Sequence, residues 1–266
     1  MRSNGEDVGY ESIIYEKQDG VAKITLNRPQ ALNAFTPEMN RELQQILKDA
    51  DEDKGIRCFL LTGAGRAFCA GQDLKGRTPG KKGSLGESLR KNYNPVILRL
   101  RRTEKIVLAA VNGVAAGAGC NLALACDLRI ASEEAKFIQA FVRVGLASDS
   151  GGSYILPRLV GLGKALELLL LGEPVDAAEA LRLGLVAKVV PASELPSAAL
   201  EMAGRLARGP RSTGLIKRAV NRAVLPDLES QLDYEAYLQE IAGKSADYDE
   251  GVRAFLEKRQ PVFKGQ

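Results

Sequence analysis

Apolar positions at the start of the chain first alternate with polar ones and then lengthen into runs. Residues 13–15 and 21–26 read as two strands joined by a turn at Gln18-Asp19-Gly20. Residues 27–35 follow as a loop, and Thr36-Pro37-Glu38 opens a helix with Thr36 as N-cap and Pro37 in its first turn. Leu43, Ile46 and Leu47 then recur at the spacing of one buried helical face. The run 58–62 predicts a buried strand that closes on a glycine-rich stretch, 63–74. Residues 75–94, rich in Gly, Lys, Ser and Arg, read as an open loop, either a lid or a solvated insertion.

Residues 106–111 form a short apolar run with β-branched members, the pattern of another buried strand. The next stretch, Val111-Asn112-Gly113-Val114-Ala115-Ala116-Gly117-Ala118-Gly119-Cys120-Asn121, holds almost nothing larger than valine. It leads into a helix of small and straight-chain residues around Leu122 and Leu124. Such a stretch lets another molecule approach the main chain, and a helix start leaves N–H groups without internal partners. Those donors suit an anion. A tight helix crossing would ask for the same small residues, and on this pattern alone both readings stand.

Beyond it, 128–131 and 136–138 predict short strands. Ser148-Asp149-Ser150-Gly151-Gly152 predicts a turn into a helix carrying Leu156, Leu159 and Val160. Helical patterns cover 165–171 and 177–183, the latter ended by Gly184, and 185–190 reads as a strand. After about residue 195 the patterns are helical only, over 198–207, 214–223 and 228–241. The mixed order predicts an α/β (α+β) fold, with a strand-and-helix core over 10–195 and a helical region over 196–266.

Composition narrows the chemistry. The 266 residues are 45% hydrophobic and 26% charged, ordinary for a globular chain, and the net charge of +4 is too slight and scattered to imply nucleic acid or membrane. No stretch has the length of a membrane span, and residues 1–9 lack the apolar segment of a signal peptide. Cys58, Cys69, Cys120 and Cys126 show no metal-ligand spacing and read as reduced packing residues, which fits the cytoplasm. The chain has no histidine. That removes Ser-His-Asp and Cys-His devices and most zinc sites, and leaves acid–base chemistry to Asp, Glu, Lys, Tyr or Cys.

Three motifs in order carry a resemblance: Asn27-Arg28-Pro29 with Ala31-Leu32-Asn33-Ala34; Gly65-Arg66-Ala67-Phe68-Cys69-Ala70-Gly71-Gln72-Asp73-Leu74; and the stretch from Val111 to Asp127. Together they resemble the crotonase, or enoyl-CoA hydratase/isomerase, superfamily, from about Tyr15 to the closing Glu250–Arg259 segment. The resemblance implies a spiral of ββα turns and a C-terminal helical region for trimerisation. It implies acyl-CoA thioester substrates, with coenzyme A present only as part of the substrate, no metal or other cofactor, and a homotrimer or dimer of trimers.

It also implies roles for residues. The backbone N–H groups of Gln72 and Ala118 match an oxyanion hole for the thioester oxygen, each donor worth roughly 3–4 kcal/mol in the transition state. Ala31, Leu32, Ala70, Asp73 and Leu74 match contacts to adenine and pantetheine, with Arg28 a phosphate partner or a plain surface charge. Phe255 and Lys258 match positions that reach the coenzyme A of a neighbouring subunit. The two glutamates of the hydratases correspond here to Asn121 and Phe141, neither of which can shuttle a proton. Asp149, which on its own could be a helix cap, matches the position facing the α and γ carbons of the thioester. Asn121 would orient the substrate or Asp149, and Phe141 and Leu146 would be apolar walls that raise the carboxyl's pKa.

Within the superfamily, Asn121–Asp127, Phe137-Ile138-Gln139, Ser148–Gly152, Leu156-Pro157-Arg158 and Gly243–Tyr248 resemble the branch that opens the ring epoxide of phenylacetyl-CoA. A Δ3,Δ2-enoyl-CoA isomerase using the same Asp149 is the neighbouring alternative. A non-catalytic acyl-CoA-binding protein is another. A dehalogenase of the superfamily would need histidine and tryptophan, and the chain has neither.

Overall fold

The computed structural model describes residues 9–75, 84–223 and 227–266. Its strands are β1 (Ile13–Gln18), β2 (Val21–Leu26), β3 (Cys58–Gly63), β4 (Ala67–Cys69), β5 (Ile106–Val111), β6 (Val114–Ala116), β7 (Leu128–Ser132), β8 (Lys136–Ile138), β9 (Pro174–Asp176) and β10 (Lys188–Val190). Its helices are α1 (Pro37–Glu52), α2 (Leu85–Ser88), α3 (Asn94–Arg102), α4 (Ala118–Ala125), α5 (Gly152–Val160), α6 (Leu162–Leu171), α7 (Ala177–Arg182), α8 (Leu195–Ala207), α9 (Ser212–Arg222), α10 (Leu228–Gly243) and α11 (Ala246–Leu256).

The strands divide between a larger sheet ordered β1-β2-β3-β5-β7-β10 and a smaller one ordered β4-β6-β8-β9. Among the described strands only β1–β2 and β8–β9 pair antiparallel. From β3 to β8 consecutive strands alternate between the sheets, each pair followed by helix, as in β3-β4-α2-α3, β5-β6-α4 and β7-β8-α5-α6. The result is the expected mixed α/β spiral of ββα turns.

The period-two character of the strands sorts the core. Phe59 and Leu61 of β3, with Val107, Ala109 and Val111 of β5, face the interior shared with α1, α3, α4 and the smaller sheet. Cys58, Leu60, Leu108 and Ala110 face the opposite way and pack under Leu195, Ala199, Ala203 and Ala207 of α8. Strands buried on both faces read as continuous apolar runs, which is why they stood out. The same packing seats α8, the first helix of the expected C-terminal region, on that face of the larger sheet.

Two local expectations change. Residues 85–94 of the expected loop are helical: α2 and α3 are joined by a π-helical turn over Leu89–Tyr93, while 76–83 of it lie outside the described residues. The strand expected over 185–190 is hydrogen-bonded only from Lys188. The β1–β2 turn forms as read, with Asp19 and Gly20 both in the left-handed region, and Thr36 Oγ1 accepts the Met39 N–H as N-cap of α1. No described helix is long and apolar enough to cross a membrane.

Candidate active site

Residues 71–72 and 116–118 meet where the smaller sheet gives way to α4. A side chain on Gly71 would begin 2.8 Å from the Ala116 carbonyl oxygen and 3.6 Å from the Ala118 nitrogen, so the two main chains touch. Phe35 donates its N–H to the Gly71 carbonyl (2.7 Å), and its own carbonyl accepts the Asp73 N–H (2.9 Å). In an extended segment alternate residues point opposite ways, so the Gln72 N–H is turned from Phe35. On the other segment Gly117 has φ +52° and ψ −124°, a conformation open only to glycine. This residue turns the chain out of β6 and makes Ala118 the first residue of α4, where helix geometry provides no acceptor for its N–H. Neither the Gln72 nor the Ala118 N–H takes an acceptor among the described residues.

The glycines of the small-residue stretch serve different ends. Gly113 and Gly119 serve packing, since a side chain would begin 2.1 Å from the Arg66 carbonyl oxygen and 2.2 Å from that of Cys69 respectively. Gly117 serves the turn.

Asp149 lies in the loop between the short 3-10 segment Ala140–Val144 and α5. It is not a helix cap: α5 begins at Gly152 with Gly151 as its N-cap residue and no side-chain cap. The half-buried carboxylate accepts one hydrogen bond from a described side chain, Ser150 Oγ to Oδ1 at 2.8 Å. Burial raises its pKa above the ordinary carboxylate value, opposed only by that hydroxyl. Ser150 and Gly151 are both left-handed, φ +49° and +79°.

The loop is tied to α4 by Asn121, which is fully buried. Its Nδ2 donates to the Asp149 carbonyl oxygen (2.8 Å) and to Ser148 Oγ (3.3 Å), and its Oδ1 accepts from Gln139 Nε2 (2.8 Å). Phe141 is buried against Gly117, its Cζ 3.8 Å from where a side chain on that glycine would begin. Its carbonyl accepts the N–H of Leu146, whose own side chain is partly exposed. One helix therefore carries the Ala118 N–H at its start and anchors the Asp149 loop one turn later.

A cleft of about 580 Å³ gathers Ala31, Leu32, Ala70, Gln72, Asp73 and Leu74, with Arg66 and Lys75 on its walls. Arg28 is not a plain surface charge. Its guanidinium folds inward, donating to the Ala34 carbonyl (2.5 Å) and to Asp73 Oδ2 (2.9 Å), and so ties the 28–34 loop to 71–75. Phe255 is 82% exposed, on a separate groove of the C-terminal helices with Tyr248, Val252 and Leu256. Lys258 follows α11 in a left-handed turn. The four cysteines are free and buried, their thiols pushed up to about 12 by desolvation. Among the described residues, no three Cys, Asp or Glu side chains gather as a metal ion would require.

The family profile described as enoyl-CoA hydratase/isomerase matches residues 16–266. The chain belongs to the enoyl-CoA hydratase/isomerase family. It is 47% identical over 260 residues to the 1,2-epoxyphenylacetyl-CoA isomerase of Escherichia coli K12, covering 96% of this chain and 99% of that one. It is 38% identical over 257 residues to the short-chain-enoyl-CoA hydratase of Clostridium acetobutylicum, covering 94% and 96%. The crystal structure of the enoyl-CoA hydratase from Bacillus anthracis superposes with a TM-score of 0.89 at 36% identity, over 96% of this chain and all of that one. The family thus includes relatives named for two different reactions, and membership alone does not choose between them. Within this family frame, the contacts made by Gln139, Ser148 and Ser150 are additions to the residues read from sequence. Gln139 and Ser148 lie 18 and 27 positions from Asn121, the residue they meet.

Proposed function

We propose that this protein is an acyl-CoA isomerase in which Asp149 is the single acid/base and the Gln72 and Ala118 N–H groups hold the thioester oxygen. On a 3-enoyl-CoA, Asp149 takes a proton from C2, the C2–H electrons move into the thioester as an enolate, and the carboxyl returns its proton to C4 as the double bond shifts. Two N–H donors aimed at the developing oxyanion stabilise that enolate. The observation that carries the reading is one carboxylate, held half-buried and pKa-raised, on a loop anchored to the helix that presents the Ala118 N–H. A base whose pKa lies nearer working pH is both ionised enough to accept and acidic enough to return the proton.

Hydration fits less well. The positions that match the hydratase glutamates hold Phe141, which has no proton to give, and Asn121, whose amide is engaged at both ends inside the protein. Asn121 acts as a positioning residue. The cleft of Ala31, Leu32, Ala70, Asp73 and Leu74 suits the adenine and pantetheine arms, with Phe141 and Leu146 beside the acyl group. The exposed apolar face around Phe255 and Leu256 supports assembly as a trimer, or a dimer of trimers, in which Phe255 and Lys258 approach a neighbour's coenzyme A.

For the substrate we favour the ring epoxide of phenylacetyl-CoA, on the strength of the 47% identical relative named for it. The linear 3-enoyl to 2-enoyl shift is the second reading, because the same carboxylate performs it. Turnover of the epoxide, of 3-enoyl-CoA and of 2-enoyl-CoA tests the proposal. Isomerisation with negligible hydration supports it, the faster of the first two substrates names the class, and dominant hydration of 2-enoyl-CoA overturns it.

A further inference from the structure

Gln139 follows β8 directly and is 4% exposed. Its Nε2 donates to Asn121 Oδ1 at 2.8 Å and lies 3.5 Å from Cys120 Sγ, while its Oε1 is buried without a donor among the described residues. It borders a space of about 10 Å³ lined by Leu124, Phe137, Leu156 and Leu168, where an aliphatic side chain would pack as readily. Burying an amide with one end unsatisfied is unfavourable. Packing alone does not account for a glutamine here; its donor end does.

The chain of hydrogen bonds has a fixed sense. The Asp149 carbonyl can only accept, so the Asn121 amide must present Nδ2 to it. That leaves Asn121 Oδ1 facing Gln139, which must then donate. A side chain without a donor at 139 would leave Oδ1 buried and unpaired and remove the contact that fixes the Asn121 amide beneath the loop. Gly152 packs at the same point: a side chain on it would begin 2.3 Å from Asn121 Nδ2 and 2.4 Å from Ser148 Oγ, so the loop seats directly on the amide.

We propose that Gln139 is a positioning residue for the reaction, acting through Asn121 to hold the Asp149 loop at the distance that proton transfer requires. This rests on Asp149 being the acid/base. Misplacing a catalytic group by about 1 Å lowers turnover roughly a hundredfold.

The experiment compares Gln139→Leu, Gln139→Glu, Asp149→Asn and the Gln139→Leu/Asp149→Asn double variant, on the full chain with 3-enoyl-CoA. Gln139→Leu is expected to lower kcat roughly ten- to a hundredfold, with KM within about twofold of wild type. The double variant is expected to match Asp149→Asn, because Gln139 acts only through that carboxylate. Gln139→Glu can donate while its carboxyl is protonated. It should keep activity at low pH and lose it as that carboxyl ionises, adding an alkaline fall to the pH–rate profile. Glu173 and Cys120 also border the space, but both occur in wild type, so a new fall belongs to the introduced group. Wild-type kcat in Gln139→Leu, or a Gln139→Glu profile parallel to wild type at all pH values, overturns the proposal. If Gln139→Leu does not fold, the Gln139→Glu profile decides alone. Full turnover in Asp149→Asn would instead sink the acid/base reading itself.

Discussion

Replacing Gly119 with alanine would place a methyl carbon 2.2 Å from the Cys69 carbonyl oxygen and 2.7 Å from the Cys69 Sγ. Carbon–oxygen contacts settle near ~3.3 Å, so the first turn of α4 or strand β4 must retreat by about 1 Å. Cys69 sits fully buried in a three-residue strand two positions before Gly71. The movement therefore falls on the Ala118 N–H and its spacing from Gln72. Losing one oxyanion donor lowers kcat roughly 10²- to 10³-fold, and a 1 Å displacement costs about 10²-fold. Overpacking lowers stability by about 1–3 kcal/mol, a fall of roughly 2–12 °C in Tm. The assay is turnover of 3-enoyl-CoA alongside thermal unfolding, with thioester binding measured by calorimetry. Gly117→Ala is the control for backbone conformation: its methyl meets nothing nearer than 3.8 Å, so its effect comes from the positive φ alone. A folded Gly119→Ala protein with wild-type kcat would refute the claim that this close contact sets the pair of donors.

Buried charges and thiols give further outcomes. All four cysteines should resist a thiol reagent in the native protein and react together once denatured, because burial holds them protonated up to about 12. Lys217 is buried with its Nζ 2.7 Å from Asp127 Oδ2 and donating to the Leu100 and Lys105 carbonyls. Lys217→Met should cost up to about 3–5 kcal/mol in denaturant unfolding by leaving Asp127 to the Val107 N–H and the more distant Arg101 (3.8 Å), and adding Asp127→Asn should recover part of it. Because burial raises the Asp149 pKa in the folded state, the ionised carboxylate destabilises the fold above that pKa and has no effect below the unfolded value. Asp149→Asn should therefore raise Tm at pH 7, with the difference vanishing as pH falls through the Asp149 titration.

Much of the fold was legible because the central strands are apolar runs and the helices carry caps, as at Thr36 and Gly184. Of the smaller sheet only β8, over 136–138, was legible; the other short strands were not. Ala67–Cys69 and Val114–Ala116 are three residues each, rich in small side chains, and only their partners across the sheet define them. The helical stretch 85–102 was hidden by its polar composition, although Leu89, Tyr93, Val96 and Leu100 recur at helical spacing and face the core. Of the site, backbone donors could be named by likeness to a family. That Arg28 would turn inward to Asp73, 45 positions on, is decided by tertiary contact and leaves no local mark. The Gln139–Asn121–Asp149 chain joins three elements in the same way.

The most direct test of the single-carboxylate account is exchange of the C2 protons of phenylacetyl-CoA in deuterated water, a substrate with no chain double bond to shift. Wild type should exchange them, and Asp149→Asn should lose that exchange by roughly a hundredfold or more while binding the thioester equally well. Exchange that continues at the wild-type rate without the Asp149 carboxylate would contradict the account.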